Sequence, residues 1–281
     1  MKETRRRLLA RALTLLLEVT LPARTRAGPV TDAAPVQSGV VHVLSRLVAS
    51  DAVRPRDLLP AVHLPSGGLS NLLGRLEAAG LITRTADRGH DGRAVSLSIT
   101  PKGRELEQRV ARACADGVRE SAAAVKELIV ILVEAGATPR PVALPNACAR
   151  ETRATLGLVE LHLTVEAAIA TSDGNGDVNA AVALATLDHL GPCRPRLLAD
   201  VLHLTSGGAS RLIDRLEQAG HVERSRDAVA HDHRGVVVAI TPSGVDHLSG
   251  LLEPMAARLD DVLGLVRAIW VEVHDTDPTD R

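Results

Sequence analysis

The sequence predicts a mainly α-helical protein with two small β-hairpins, arranged as two similar domains in one chain. Its length of 281 residues is that of two ordinary domains, each long enough to form its own core. Apolar residues recur three and four positions apart through most of the chain, and alternation with a period of two is confined to two short stretches. One pattern of helix and hairpin residues also occurs twice.

An internal repeat relates residues 54–80 to residues 194–220. Both stretches contain Arg-Pro-Arg, Ser-Gly-Gly, Arg-Leu-Glu and Ala-Gly in the same order and at the same spacing, and more than half of the aligned positions are identical. Matched composition alone would give far less identity, so the pattern predicts a tandem duplication. We divide the chain into a first repeat over residues 1–137, a proline-containing linker over 138–150 and a second repeat over 151–281.

In each repeat a short helix precedes a longer one. Pro55 and Pro195 lie in the first turn of the short helix, where the missing N–H of proline costs no hydrogen bond. The longer helix has apolar residues three and four positions apart. It is expected to end at Gly80 or Gly220, because glycine readily adopts the left-handed conformation of a C-cap.

Capping residues mark the starts of the longer helix and of the helix after the hairpin. Thr205 is a good N-cap, whereas the aligned Pro65 is not, so Ser66 is expected to substitute for it. Thr100-Pro101 and Thr241-Pro242 each combine an N-cap with proline at the first helical position.

A two-stranded hairpin lies between these helices in each repeat. Its second strand alternates apolar and small residues, with the apolar positions at Val95, Leu97 and Ile99 in the first copy and Val236, Val238 and Ile240 in the second. A charged turn precedes it, Asp91-Gly92-Arg93 or Asp232-His233-Arg234. Helix, turn, helix, hairpin and helix in this order form a winged helix-turn-helix.

Long amphipathic helices are predicted on either side of both motifs, over residues 5–19, 103–134, 151–171 and 245–273. Helices of this length around a small winged core are typical oligomerisation surfaces. The complete fold class is therefore mainly α with small β-hairpin wings: two winged helix-turn-helix domains framed by long dimerisation-type helices.

Composition excludes several classes of protein. No apolar run approaches the roughly 18 residues of a membrane span, and the chain has neither Phe nor Tyr, which single-stranded nucleic-acid modules need for stacking. Arg5-Arg6-Arg7 could imitate a signal peptide, but Arg11 and Glu18 interrupt the apolar segment that follows. We therefore expect a cytoplasmic protein without a membrane partner.

Charge is unevenly distributed between the halves. Residues 1–140 contain 21 Lys and Arg against 14 Asp and Glu, and the remaining residues contain 12 against 20. This could be a chance drift of surface charge, or it could give the first half the stronger affinity for phosphate.

The motif residues resemble the MarR family of bacterial regulators. The resemblance rests on residues 206–217, on Gly220 to Arg224, on the wing Asp232-His233-Arg234 and on Thr241-Pro242-Ser243-Gly244, and the first repeat has the same pattern. It implies double-stranded DNA as partner and a chain that is a monomeric pseudo-dimer or a homodimer. Gly74 replaces the acid that the second repeat keeps at Asp214, so a pairing of that acid with the wing arginine is in doubt in the first repeat.

DNA contacts are expected from the longer helix, from the arginines before the short helix and from the wing tips. The side chain of Arg211 suits a guanine, and that of Asn71 at the aligned position suits an adenine. A DNA target with two different half-sites is therefore predicted. Arg93 and Arg234 would enter the minor groove, although they could also only brace a turn. The full predicted set is Arg54, Arg56, Ser66, Gly67, Gly68, Ser70, Asn71, Arg75, Arg93, Arg194, Arg196, Thr205, Ser206, Gly207, Gly208, Ser210, Arg211, Arg215 and Arg234.

An effector pocket is implied by the resemblance, between the helical interface and the winged core. Its residues would be His42, Arg46, His162, His189 and Trp270, and a small hydrophobic or anionic effector would suit it. These residues could equally be ordinary core or surface residues.

Metal and redox chemistry are weaker interpretations. His231 and His233 could suggest zinc, but wing histidines are more often solvated, and we predict neither a metal site nor a cofactor. The arginine after Cys193 could lower the pKa of its thiol and suit a redox sensor, whereas Cys114 is expected to be interior packing.

Two functions remain open. The first is a sequence-specific transcriptional regulator, a repressor released by a small ligand, without catalytic residues. The second is the same fold used as a small-molecule-binding protein or an enzyme, with degraded DNA binding, which the acidic second half and Gly74 would favour.

Overall fold

The computed structural model describes residues 2–27, 38–50, 53–62, 66–86, 95–142, 144–145, 148–173, 177–225 and 236–275. These residues are mainly helical. The helices are α1 (Glu3–Ala27), α2 (Ser38–Val48), α3 (Pro55–Val62), α4 (Ser66–Ala78), α5 (Pro101–Glu120), α6 (Ala122–Glu134), α7 (Arg150–Asp173), α8 (Val178–Leu190), α9 (Pro195–Leu202), α10 (Ser206–Gln218), α11 (Pro242–Ala256) and α12 (Leu259–His274). The strands are β1 (Ile82–Ala86), β2 (Val95–Ile99), β3 (Val222–Ser225) and β4 (Val237–Ile240).

The chain divides into two compact units, and neither is one continuous stretch. The first-repeat unit comprises Val19–Val125, Arg140–Leu163 and Gly264–Arg281. The second-repeat unit comprises Met1–Glu18, Lys126–Pro139 and Thr164–Leu263. Four of the five unit boundaries fall within α1, α6, α7 and α12, and the fifth, between Pro139 and Arg140, lies between α6 and α7. Division into two halves at residues 138–150 therefore remains a prediction about the repeat in the sequence.

The first-repeat unit packs α2, α3, α4 and α5 against an antiparallel hairpin of β1 and β2. The register pairs Ile82 with Ile99 and Arg84 with Leu97. A single residue of a third strand, Val53, adds to the edge of the sheet, because its N–H and C=O both bond to Leu97 at 3.2 and 2.9 Å. Leu97 is fully buried, as is Leu58 from α3. The hairpin thus joins the core of the helices through its buried face.

The second-repeat unit has the same order of elements, α8, α9, α10, β3, β4 and α11. Val222 pairs with Ile240 in the hairpin. Cys193 forms the third-strand bridge here, through bonds of 3.0 and 2.8 Å with Val238. Both edge residues precede the arginine that begins the helix-turn-helix, and a strand of one residue has no periodicity by which it could have been predicted.

The Thr-Pro-x-Gly motif forms a tight corner between the hairpin and the helix after it. The Thr241 hydroxyl accepts a bond from the Gly244 N–H at 3.0 Å and donates one to the Gly220 carbonyl at 2.6 Å. A Cβ placed on Gly244 would lie 2.0 Å from the carbonyl oxygen of His221. Only glycine can therefore approach the preceding turn this closely.

The first-repeat unit forms the same corner with Thr100 and Gly103. The Thr100 hydroxyl accepts from the Gly103 N–H at 3.0 Å, and a Cβ on Gly103 would lie 2.0 Å from the carbonyl oxygen of Leu81. Gly80 and Gly220 have φ values of 70° and 75°. The predicted glycine stops and threonine caps are thus confirmed in both units.

Several predicted boundaries were wrong. The helix predicted over 103–134 is two helices that meet at Ser121, and the one predicted over 245–273 is two helices separated after Ala256. The second break follows Pro254, which cannot donate the helical N–H bond and crowds the preceding turn. Val236 precedes β4 instead of lying in it, and α4 begins at Ser66, which is therefore its first helical residue and not its N-cap. The helices α2 and α8 were not predicted.

A buried polar cluster distinguishes the first-repeat unit. Glu107 of α5 is 1% exposed, and its carboxylate accepts from the Ser45 hydroxyl at 3.1 Å and from the Thr152 hydroxyl at 3.3 Å. Burial raises the pKa of Glu107, although the two hydroxyl bonds and Arg104 oppose that shift. The repeat aligns Ser45 and Glu107 with apolar residues that are fully buried in the second-repeat unit, namely Ala185 and Leu248.

Among the described residues, no helix is both long and apolar enough to cross a membrane.

Candidate nucleic-acid interface

The helix α10 separates its predicted contact residues from its core residues. Thr205 caps it by accepting a bond from the Gly208 N–H at 3.1 Å, as predicted. Apolar side chains on one face are buried: Ala209, Leu212, Ile213 and Leu216. The residues on the opposite face are exposed: Ser206, Gly207, Ser210, Arg211, Asp214 and Arg215. A polar face with two arginines is therefore available to a ligand along the length of the helix.

The turn before α10 has the tight geometry of a helix-turn-helix. His203 ends α9 in the left-handed conformation, with φ 49° and ψ 41°. The N–H of Leu204 then bonds to the Ala199 carbonyl at 2.9 Å. Arg194 and Arg196 lie at the start of α9 and are exposed, and Arg196 is 4.0 Å from Asp200.

The helix α4 presents the corresponding face in the first-repeat unit. Gly67, Ser70, Asn71 and Arg75 are exposed, and Gly68 is half-buried. The opposite face is buried through Leu69, Leu72, Leu73 and Leu76. Arg54 and Arg56 are exposed before and within α3, and Arg56 is 3.8 Å from Asp57.

The glycines at the start of both helices leave open space. A Cβ on Gly67 or Gly207 would meet no atom within 4 Å, and one on Gly208 would lie 3.3 Å from the Thr205 hydroxyl oxygen. The folded protein therefore does not need glycine at 67 or 207 for packing.

Arg215 is held by an acid that the sequence reasoning missed. Its Nη2 donates to Asp177 Oδ2 at 2.6 Å. Oδ1 of Asp177 caps α8 by accepting from the N–H groups of Asn179 and Ala180 at 2.9 and 3.3 Å. An Asp at the start of a helix is a local signal, but α8 itself was not predicted, and the pairing spans 38 residues.

A second network links α10 to its hairpin. Arg224 of β3 pairs with Asp214 and Glu217, and these bonds raise the pKa of its guanidinium further. In the first-repeat unit the aligned Arg84 pairs with Glu77 at 3.1 Å. Asp214 thus binds a strand arginine. The wing-tip residues Arg93 and Arg234 lie outside the described residues, as do His231 and His233.

Cys193 does not have the environment expected of a reactive thiol. It is 8% exposed on the sheet edge, and burial raises its pKa instead of lowering it. Activation by the neighbouring arginine, the weaker of the two interpretations, is disfavoured because desolvation of the thiolate dominates. Cys114 is buried on α5 as expected, and burial raises its pKa to about 11.

The predicted pocket residues are distributed over both units. His42 is buried on α2, and Arg46 donates to its Nε2 at 3.4 Å and to Glu160 of α7 at 2.7 Å. His162 lies two residues further along α7 and is half-buried. Trp270 is buried on α12 and stacks on His274 with ring centroids 3.8 Å apart. These four residues belong to the first-repeat unit, whereas His189 is exposed at the end of α8 in the second-repeat unit.

No group of three or more His, Cys, Asp or Glu side chains within the described ranges is arranged to hold a metal ion.

The stretch from α8 to the residues just after β3 includes the second helix-turn-helix and the predicted recognition helix. It is also the stretch that comparison with known families detects. Residues 178–229 match the MarR family. This MarR-like segment contains Thr205, the Ser206-Gly207-Gly208 opening and the Arg224 network described above.

A curated relative is similar over a short region. The chain is 32% identical over 76 residues to the "Uncharacterized HTH-type transcriptional regulator YcgE" of Bacillus subtilis (strain 168), a region of 27% of this chain. The chain spans about half of the length of that relative, 48%. A solved structure titled "Crystal structure of probable transcriptional regulator from Pseudomonas aeruginosa" is 28% identical, with a TM-score of 0.31, over 39% of this chain and 80% of that one.

Proposed function

We propose that this chain is a sequence-specific, DNA-binding regulator of transcription, with α4 and α10 as its recognition helices. The observation that supports this most directly is the exposed polar face of α10, with Ser210, Arg211 and Arg215 in line behind a glycine-opened first turn. The MarR-like segment and the printed name of the Bacillus relative agree with it.

The chemistry of this face fits duplex DNA. The start of α10 presents backbone N–H groups and a partial positive charge, which attract a phosphate. Arg211 lies one turn further along and has five N–H donors, of which two can reach the O6 and N7 atoms of a guanine. Asn71 at the aligned position of α4 suits adenine. The proposal therefore includes a target with two different half-sites.

We further propose that the protein is a repressor released by a small hydrophobic or anionic effector. Support comes from the resemblance to MarR proteins and from the contact of the buried His42 with the half-exposed Arg46, a cationic pair that would suit an anion in place of the Glu160 carboxylate. The contributions of Arg93 and Arg234 from the wing tips, and a tandem duplication that places two reading heads in one chain, are parts of the same proposal.

Binding to the DNA upstream of the protein's own gene, measured by fluorescence anisotropy over a salt series, tests the proposal. Specific binding should exceed binding to a scrambled duplex by at least about a thousandfold and should weaken steeply with salt. Arg211→Ala should lose roughly tenfold or more in specific affinity and relax discrimination at one base pair. For an operator that lies elsewhere in the genome, selection of bound sequences from a pool of random duplexes is the corresponding test. Equal, weak binding to every duplex would contradict a sequence-specific regulator.

Gly207→Ala separates DNA approach from folding. The added methyl meets no atom of the protein, so the free energy of unfolding should be unchanged or rise by up to about 1 kcal/mol. Specific DNA affinity should fall several-fold, because the methyl group would occupy space between the helix and the groove. Gly250→Ala, also in open space but on α11 outside both recognition helices, is the matched control. Unchanged affinity in Gly207→Ala would show that the first turn of α10 does not approach the DNA.

A further inference from the structure

We propose that Asp177 neutralises Arg215, so that α4 supplies the stronger attraction to DNA phosphates and α10 acts mainly as a base reader through Arg211. This inference rests on the proposed DNA binding and concerns how that binding is divided between the two recognition helices.

The carboxylate of Asp177 is held by the backbone of α8 as well as by Arg215. One carboxylate oxygen is bound by two backbone N–H groups of α8, and the other accepts from the guanidinium at 2.6 Å. The Asp177 side chain is 28% exposed and the Arg215 side chain 63% exposed. Because the acid is already ordered as a helix cap, pairing costs little side-chain entropy beyond that of Arg215. At the distance of a DNA phosphate, the two opposite charges largely cancel.

A second acid lies on the exposed face of α10. Asp214 precedes Arg215, and it is held by Arg224 of the neighbouring strand together with Glu217. The network of Arg224, Asp214 and Glu217 has one positive and two negative charges. The arginine of α10 that forms no ion pair within the described part of the chain is Arg211. Only this side chain of the helix therefore keeps its full charge for DNA.

The helix α4 lacks both acids. The residue aligned with Asp214 is Gly74, and the residue aligned with Asp177 is Gln37, which lies outside the described residues. Arg75, the counterpart of Arg215, is exposed and forms no ion pair with any described residue. The nearby acid of α4, Glu77, forms its ion pair with Arg84. Residues 1–140, which include α4, also contain more basic than acidic residues, which agrees with a stronger attraction of α4 to phosphates.

Counterion release gives this difference a measurable size. Each phosphate that a cation neutralises contributes about 0.9 to the slope of log affinity against log salt. Arg75 should contribute close to this amount, whereas Arg215 must first lose a partner with which it is already paired. Bases do not contribute to binding of a random-sequence duplex, so such a duplex reports this difference alone.

The experiment measures the affinity of the full chain for a random-sequence duplex of about 30 base pairs, between about 50 and 200 mM salt. Arg75→Ala should reduce the slope by about 0.9 and weaken binding several-fold, and Arg215→Ala should change both by less than half as much. Asp177→Asn should strengthen binding about two- to fivefold, since asparagine remains a good N-cap and the fold is kept. Asp246→Asn is the control, because it removes the same charge from an exposed acid of α11 that forms no ion pair with the described residues.

The outcomes separate the two levels of the argument. Equal losses in Arg75→Ala and Arg215→Ala, or equal gains in Asp177→Asn and Asp246→Asn, would overturn the unequal division while leaving DNA binding intact. The absence of salt-dependent binding by the unmodified chain to any duplex would overturn the proposed function, and this inference with it. Thermal unfolding of each variant shows whether a loss reflects folding.

Discussion

Gly244→Ala is expected to destabilise the second-repeat unit by about 3 kcal/mol. The added Cβ would lie 2.0 Å from the carbonyl oxygen of His221 and 2.8 Å from a side-chain carbon of Ile240. The His221 carbonyl is backbone that also accepts the Thr241 N–H at 3.0 Å, so it cannot move away without breaking the corner. Urea unfolding followed by circular dichroism measures the loss, which should appear as a shift in the transition of this unit.

Gly250→Ala provides the matched control in the same helix. A Cβ on Gly250 meets nothing within 4 Å, so the substitution should stabilise α11 by roughly 0.5 to 1 kcal/mol. Gly103→Ala should reproduce the loss in the first-repeat unit, where the contact with Leu81 is the same. If Gly244→Ala behaved like Gly250→Ala, the tight corner would not be part of the fold in solution.

Replacing the buried polar cluster of the first-repeat unit by its apolar counterparts is expected to raise the free energy of unfolding by about 2 kcal/mol near pH 8. The triple change is Ser45→Ala, Glu107→Leu and Thr152→Ala. At positions 45 and 107 it introduces the residue types that are fully buried at the aligned positions of the second-repeat unit, Ala185 and Leu248, and leucine is close to glutamate in volume. The gain arises because a carboxylate at 1% exposure has lost its hydration and receives only two hydroxyl bonds in return.

The sign of the pH dependence distinguishes this cause from general improvement of packing. Burial raises the pKa of Glu107 in the folded state above its ordinary value of 4.5. Stability from the protonated carboxyl is fully present below that ordinary value and is lost as pH rises through the raised pKa. The hydroxyl bonds from Thr152 and Ser45 lower the pKa of Glu107, and of the charged groups Arg104 lowers it and Glu151 raises it.

The unfolding free energy of the unmodified chain should therefore fall relative to that of the triple variant between about pH 4.5 and the raised pKa. A second variant, Leu248→Glu, places a lone carboxyl at a fully buried position without hydroxyl partners and should lose several kcal/mol near neutral pH. Parallel pH profiles for the unmodified chain and the triple variant would contradict the assignment.

Much of the local structure could be predicted because it depends on neighbours in the sequence. The Thr100, Thr205 and Thr241 caps each bond to an N–H three residues later, and the glycine stops at 80 and 220 need only their own backbone freedom. The apolar spacing of α4 and α10 likewise fixed which face is buried, so the exposed candidates Asn71 and Arg211 were placed correctly on the surface.

The sequence by itself thus determined the order of helix, turn, helix, hairpin and helix, and which face of α4 and of α10 is exposed. Only the tertiary structure decided which charges on that face are neutralised, since Asp177 and Arg215 are 38 residues apart. It also decided the third-strand residues Val53 and Cys193, the burial of Glu107 and the assignment of segments of the flanking helices to two non-contiguous units. These features depend on contacts between residues that are distant along the chain, and neither periodicity nor capping in one short window contains that information.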